Sequence, residues 1–124
     1  MPTMKSFCIL LAFSLLLGCA STGVVKLSNQ KYPSVKPEQV QVFMAEQDVQ
    51  RPYEKIAIIT AEGDYAYQNQ TSLIQAIQKK AAKLGANGLI LGSYKEATTG
   101  EKVSNALLWT SANNKYQAIA IRLK

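Results

Sequence analysis

Apolar positions in this chain follow a period of two, then a helical period, then a period of two again. Val40, Val42 and Met44 alternate with Gln41 and Phe43, which predicts a half-buried strand over Gln39 to Met44. Glu46 to Pro52 is polar and ends in a proline, the composition of a loop. Glu54 to Ala61 carries the unbroken apolar run Ile56-Ala57-Ile58-Ile59, the pattern of a strand covered on both faces, and Glu62-Gly63-Asp64 breaks it. Leu73, Ile74, Ile77, Ala81 and Leu84 recur at helical spacing and form an inward stripe. Ser72 is the expected N-cap of that helix, with Gln75 as its reciprocal partner. Gln75, Lys79, Lys80 and Lys83 face water, and the lysines of the last turns sit well against the negative end of the helix dipole. Gly85 suits the left-handed residue beyond the helix end.

Asn87-Gly88 then turns the chain into the buried strand Leu89-Ile90-Leu91. Thr98-Thr99-Gly100 reads as a hairpin turn, and Lys102 to Ser111, with Val103, Leu107, Leu108 and Trp109, as the strand after it. Asn113-Asn114 reads as a second hairpin turn, since asparagine tolerates positive φ. In Tyr116 to Leu123, Ile119, Ile121 and Leu123 share one face and Ala118, Ala120 and Arg122 the other. The expected fold is α+β: a small ββαβββ sheet with one main helix packed on it, spanning residues 39–124.

Residues 20–38 are polar and contain Pro33 and Pro37. They read as a tether whose end-to-end distance would be roughly 25 Å. Ahead of them, Lys5 precedes an apolar run from Phe7 to Leu17 and then Gly18. A basic start, a short apolar core and a small residue describe a secretory signal over residues 1–18. The run, about 11 residues, falls short of the ~20 needed to span a bilayer.

Leu16-Leu17-Gly18-Cys19 resembles the bacterial lipobox. The resemblance implies that the Cys19 sulfur, a strong nucleophile, carries a diacylglyceryl group. It further implies that the chain is cut between Gly18 and Cys19, and that the new amino group receives another acyl chain such as palmitate. Several acyl chains hold far better than one. Ala20 and Ser21 stand where the enteric inner-membrane retention signal would have aspartate. The expected location is therefore the outer membrane, lipid-anchored and facing the periplasm.

This placement changes how the composition reads. Cys8 leaves with the signal and Cys19 is acylated, so the mature domain has no free thiol, and the chain has no histidine. Catalysis at neutral pH usually recruits His, Cys or paired carboxylates; zinc lacks its ligands, and there is no twelve-residue calcium loop. No enzyme activity, metal or cofactor is expected. Glu62 and Asp64 are the one close acidic pair near a strand end. They could bind a cation or serve as acid and base, or form a turn with Gly63. Tyr65 and Tyr67, with Asn69, lie in a polar loop of the kind that contacts carbohydrate or peptide, or that packs its own rings over a sheet edge. The formal net charge is +6. Lysines spread along the sequence read as a solubility charge, with lipid head groups, anionic glycans or an acidic partner as the alternatives. Nucleic acid is excluded as a partner by the compartment.

Tyr53-Glu54-Lys55-Ile56-Ala57, Glu62-Gly63 and the phrase Lys80-Ala81-Ala82-Lys83-Leu84-Gly85-Ala86-Asn87-Gly88-Leu89-Ile90-Leu91 resemble the core of small enterobacterial-type lipoproteins of unknown function. The layout over residues 39–124 also resembles the outer-membrane lipoprotein that senses envelope stress for the Rcs phosphorelay. The same helix-end phrase occurs in the YbjQ-type family. The resemblance implies a small envelope binding, adaptor or sensor module, held to the membrane and meeting an envelope protein or glycan. It departs from the Rcs sensor where that family carries disulfides. Here Tyr65-Ala66-Tyr67 and Tyr94 occupy the comparable segments, so Rcs signalling does not carry over. A glycan or peptide hydrolase using Glu62 and Asp64, and a purely structural envelope component, are the other readings.

Overall fold

The computed structural model describes residues 20–108 and 112–124. The signal segment, Gly18 and Cys19 of the lipobox, and Trp109 lie outside the described residues. Strands β1 (Ser21–Lys26), β2 (Gln41–Phe43), β3 (Tyr53–Asp64), β4 (Gly88–Lys95) and β5 (Asn113–Leu123) form one sheet in the order β1-β3-β5-β4-β2. Helix α1 (Gln70–Lys83) follows β3 and helix α2 (Thr99–Leu108) follows β4. The α+β class with one main helix on the sheet is as expected.

β5 is antiparallel to both β3 and β4, so those two strands run the same way on either side of it. β2 pairs parallel to β4, and β1 antiparallel to β3. Alternation along β5 sends Tyr116, Ala118 and Ala120 into the core beneath α1. Ile121 and Leu123 enter a smaller cluster on the other face, with Ile90, Phe43, Val49 and Tyr53. Ile59, Leu73, Ile77 and Leu89 are fully buried between helix and sheet, each worth roughly 1.5–3 kcal/mol by transfer from water. Ala81, Ala82, Ala118 and Ala120, all buried, let the helix lie close to the strands.

The end of α1 behaves as its sequence predicts. Leu84 is the C-cap, and Gly85 takes a positive φ of 82°. The Gly85 N–H donates to Ala82 C=O at 3.1 Å and the Ala86 N–H to Ala81 C=O at 3.0 Å. This double bond pattern closes a helix with a left-handed residue.

Four expectations need correction. First, residues 20–38 are not a free tether. β1 pairs residue by residue with β3, from Ser21 opposite Glu62 to Lys26 opposite Ala57, and Val24 packs on the core. Beyond β1, the Val35 N–H donates to Ala82 C=O at 2.9 Å and the Ser34 hydroxyl to Lys83 C=O at 3.0 Å. The polarity that suggested a tether is that of an edge strand with one face to water. Second, Thr98-Thr99-Gly100 is not a hairpin turn and residues 102–108 are not a strand. The Thr98 Oγ1 accepts the Glu101 N–H at 3.2 Å, and the Glu101 carboxylate accepts the Thr98 N–H at 2.6 Å. That reciprocal box starts a helix. Residues 109–111 of the expected strand lie outside the described residues. Third, Asn113-Asn114 begins β5 instead of turning the chain, because the Asn114 side chain has buried backbone partners. Fourth, the N-cap of α1 is Asn69, whose Oδ1 accepts the Ser72 N–H at 2.9 Å. Ser72 lies inside the first turn and donates its hydroxyl to the Asn69 carbonyl.

Candidate functional site

The segment from Asp64 to Asn69 links β3 to α1 at one end of the sheet. Asp64 shapes it: the Asp64 carboxylate accepts the Ala66 N–H at 2.8 Å, and its carbonyl accepts the N–H groups of Tyr67 and Gln68. These bonds make a turn typical of aspartate. Gln68 is buried, with its side chain over Gly63. Asn114 locks the segment down by donating to the Gln68 carbonyl at 2.7 Å and accepting the Ala97 N–H at 2.9 Å.

Of the three loop residues singled out in the sequence, Tyr67 presents its ring to solvent at 79% exposure, and Asn69 is exposed as well. Tyr65 is half-buried, and the Lys102 ammonium lies 5.2 Å from its ring centre. That cation–π contact ties the loop to α2. Asn69 is committed to capping α1. Next to this loop, α2 buries none of its residues and exposes Val103, Leu107 and Leu108 at 51%, 72% and 71%. Sequence reasoning missed this surface because it took the segment for a strand. The signal that finds it is Thr98-x-x-Glu101, a capping box followed by apolar residues at helical spacing.

Glu62 and Asp64 do not converge on one site. The Glu62 carboxylate accepts the Asn113 amide at 2.8 Å and lies 3.7 Å from the Lys115 ammonium. It lines a shallow recess of about 190 Å³ with Lys95, Glu101, Asn113 and Lys115. Asp64 lines no part of that recess; its carboxylate holds the turn. Among the described residues no group of three metal-binding side chains is found.

On the α1 side, the chain folds the lysines together. A groove of about 450 Å³ between β1 and α1 is lined by Ala20, Thr22, Gln75, Lys79, Lys80 and Lys83, among others. Lys83 also borders an adjoining recess with Lys26 and Lys31. The reading of a scattered charge is corrected here. Residues separated along the chain share one flank because β1 runs beside α1.

The electrostatics of the remaining groups are local. Glu54 accepts the Ser28 hydroxyl at 2.6 Å and the Tyr32 hydroxyl, and these bonds hold its carboxyl below the usual range. Tyr32 is raised by the same contact, and its ring carries the Arg122 guanidinium at 5.4 Å. Tyr53 and then Lys55 lower Glu46.

No family model matches the chain, and no curated protein matches it. A crystal structure of the Francisella virulence factor FvfA, orthorhombic form, is similar in fold. The TM-score is 0.57 at 17% identity, covering 82% of this chain and 97% of that one.

Proposed function

We propose that this protein is a lipid-anchored outer-membrane lipoprotein whose domain serves as a non-enzymatic binding, adaptor or sensor module facing the periplasm. The observation that carries the reading is Leu16-Leu17-Gly18-Cys19, set after a short apolar run with a basic start. The likeness to small enterobacterial-type lipoproteins accords with it. The binding half of the reading rests on the loop end of the sheet. There Tyr67 offers an exposed ring with a polar edge, its loop is tied to α2 through Tyr65 and Lys102, and loops on a rigid scaffold commonly carry recognition. The partner is an envelope protein or glycan, with no cofactor required.

The test has two arms. A clickable fatty acid labels the parent and not Cys19→Ala. A photo-crosslinker at position 67 captures a reproducible envelope partner that the same crosslinker at position 55, on another part of the sheet, does not. An unlabelled parent contradicts the anchor. Identical capture at both positions contradicts the recognition surface.

A further inference from the structure

We infer that the lysine-lined groove between β1 and α1 is a docking surface for the anionic head groups of the membrane that holds the protein. The inference rests on the lipid-anchor reading for its geometry. The charge pattern stands by itself.

Helix α1 contains three lysines, Lys79, Lys80 and Lys83, and no acidic residue. Lys26 from β1 and Lys31 beyond it extend the same flank. Among the described residues none of these five forms an ion pair, whereas Lys55, Lys102 and Lys115 elsewhere each have a glutamate partner. Lys79 and Lys83 are four residues apart on one helix face, an arrangement of like charges that is mildly unfavourable in water. An apposed anionic surface relieves that repulsion. A cluster of four to eight basic residues beside a membrane is the size that anionic lipid attracts appreciably.

The groove is also in the right place. Ala20 packs against the core and lines the groove wall. Cys19 is the residue before it. One residue of chain spans at most about 3.6 Å, less than the ~8–10 Å over which salt screens charge. An acyl anchor at Cys19 therefore gives the domain no slack with which to stand away from the surface. The 25 Å standoff expected of a free tether does not arise, because β1 takes up its first residues. Phosphate head groups fit lysine ammoniums as point charges without demanding one fixed geometry.

The experiment uses the full-length protein as matured from cells, reconstituted in neutral phosphatidylcholine vesicles or in vesicles with about one third phosphatidylglycerol. An amine-reactive footprint is read residue by residue. Labelling of Lys26, Lys79, Lys80 and Lys83 is expected to fall at least threefold on the anionic vesicles relative to the neutral ones. Lys55 and Lys115 are expected to be unchanged, and 0.5 M salt to remove the difference. Equal rates on the two vesicles overturn the inference, as does a uniform fall at every lysine. A third arm adds soluble polyglutamate in place of anionic lipid; protection by it without protection by the vesicles also overturns the assignment to lipid. The double variant K79E/K83E, which alters solvent-facing positions, is expected to keep its thermal melting and lose the vesicle difference. Retention of the full difference counts against the groove. Flotation with the neutral vesicles separately reports the anchor. If flotation fails, the anchor reading fails, and the footprint on anionic vesicles still decides the groove.

Discussion

Asn114 and Gln68, 46 residues apart in sequence, are joined by a buried hydrogen bond of 2.7 Å from the Asn114 amide to the Gln68 carbonyl. The same side chain accepts the Ala97 N–H at 2.9 Å. One asparagine thus holds the loop that presents Tyr67 and the segment that leads into α2. Asn114→Ala removes two buried hydrogen bonds to backbone groups, each costing about 1–3 kcal/mol. The expected outcome is a lower urea midpoint with an unchanged slope, together with faster amide exchange across Tyr65 to Asn69.

β1 gives a second prediction. Val24 is half-buried against the core, so Val24→Asp places a charge at the edge of an apolar cluster. Stability is expected to fall by roughly 1–3 kcal/mol. A free tether would tolerate the change with no shift in the unfolding midpoint.

Gly85 supplies a third. At φ 82° an added Cβ would lie 2.7 Å from the Tyr32 carbonyl oxygen and 2.8 Å from that of Pro33. Gly85→Ala costs ~1–2 kcal/mol for the left-handed backbone alone, and more for displacing two backbone oxygens. Gly23→Ala, where nothing lies within 4 Å, is the control and is expected to be within about 0.5 kcal/mol of the parent.

The helix end around Gly85 was readable because a single residue type is needed there. The stripe Leu73, Ile77 and Ala81 was readable because burial imposes a period. Other features depend on contacts that periodicity does not encode. In β1 only Val24 is half-buried while Val25 beside it is exposed, since β1 is an edge; only β3 beside them reveals the strand. Thr98-Thr99-Gly100 satisfies turn and capping chemistry alike, and Glu101 decides between them. Asn69 and Ser72 both suit an N-cap, and Asn69 wins because Gln70 and Thr71 extend the helix upstream. The candidate site was legible in part. Tyr67 is exposed and Asp64 makes the turn. Lys26 and Lys79 to Lys83 meet only through the fold.

Acid titration gives a fourth prediction. Glu54 is held below its ordinary range by the Ser28 and Tyr32 hydroxyls, Glu46 by Tyr53 and Lys55, and Glu101 by the Thr98 backbone N–H. A carboxylate with a lowered folded pKa contributes stability that is present above the unfolded value of ~4.3 and is lost as pH falls through the folded value below it. Urea midpoints are therefore expected to hold from about pH 7 to 5 and to fall below ~4.3. Glu54→Gln is expected to flatten part of that fall. An unchanged profile would remove Glu54 from the account.

The intact mass of the protein extracted from cell envelopes tests the central claim most directly. The expected species is a chain beginning at Cys19 and heavier than its sequence by a diacylglyceryl group and a further acyl chain, with neither the added mass nor the cut before residue 19 in Cys19→Ala. A chain of unmodified mass, or one cut elsewhere and soluble in the parent, would contradict it.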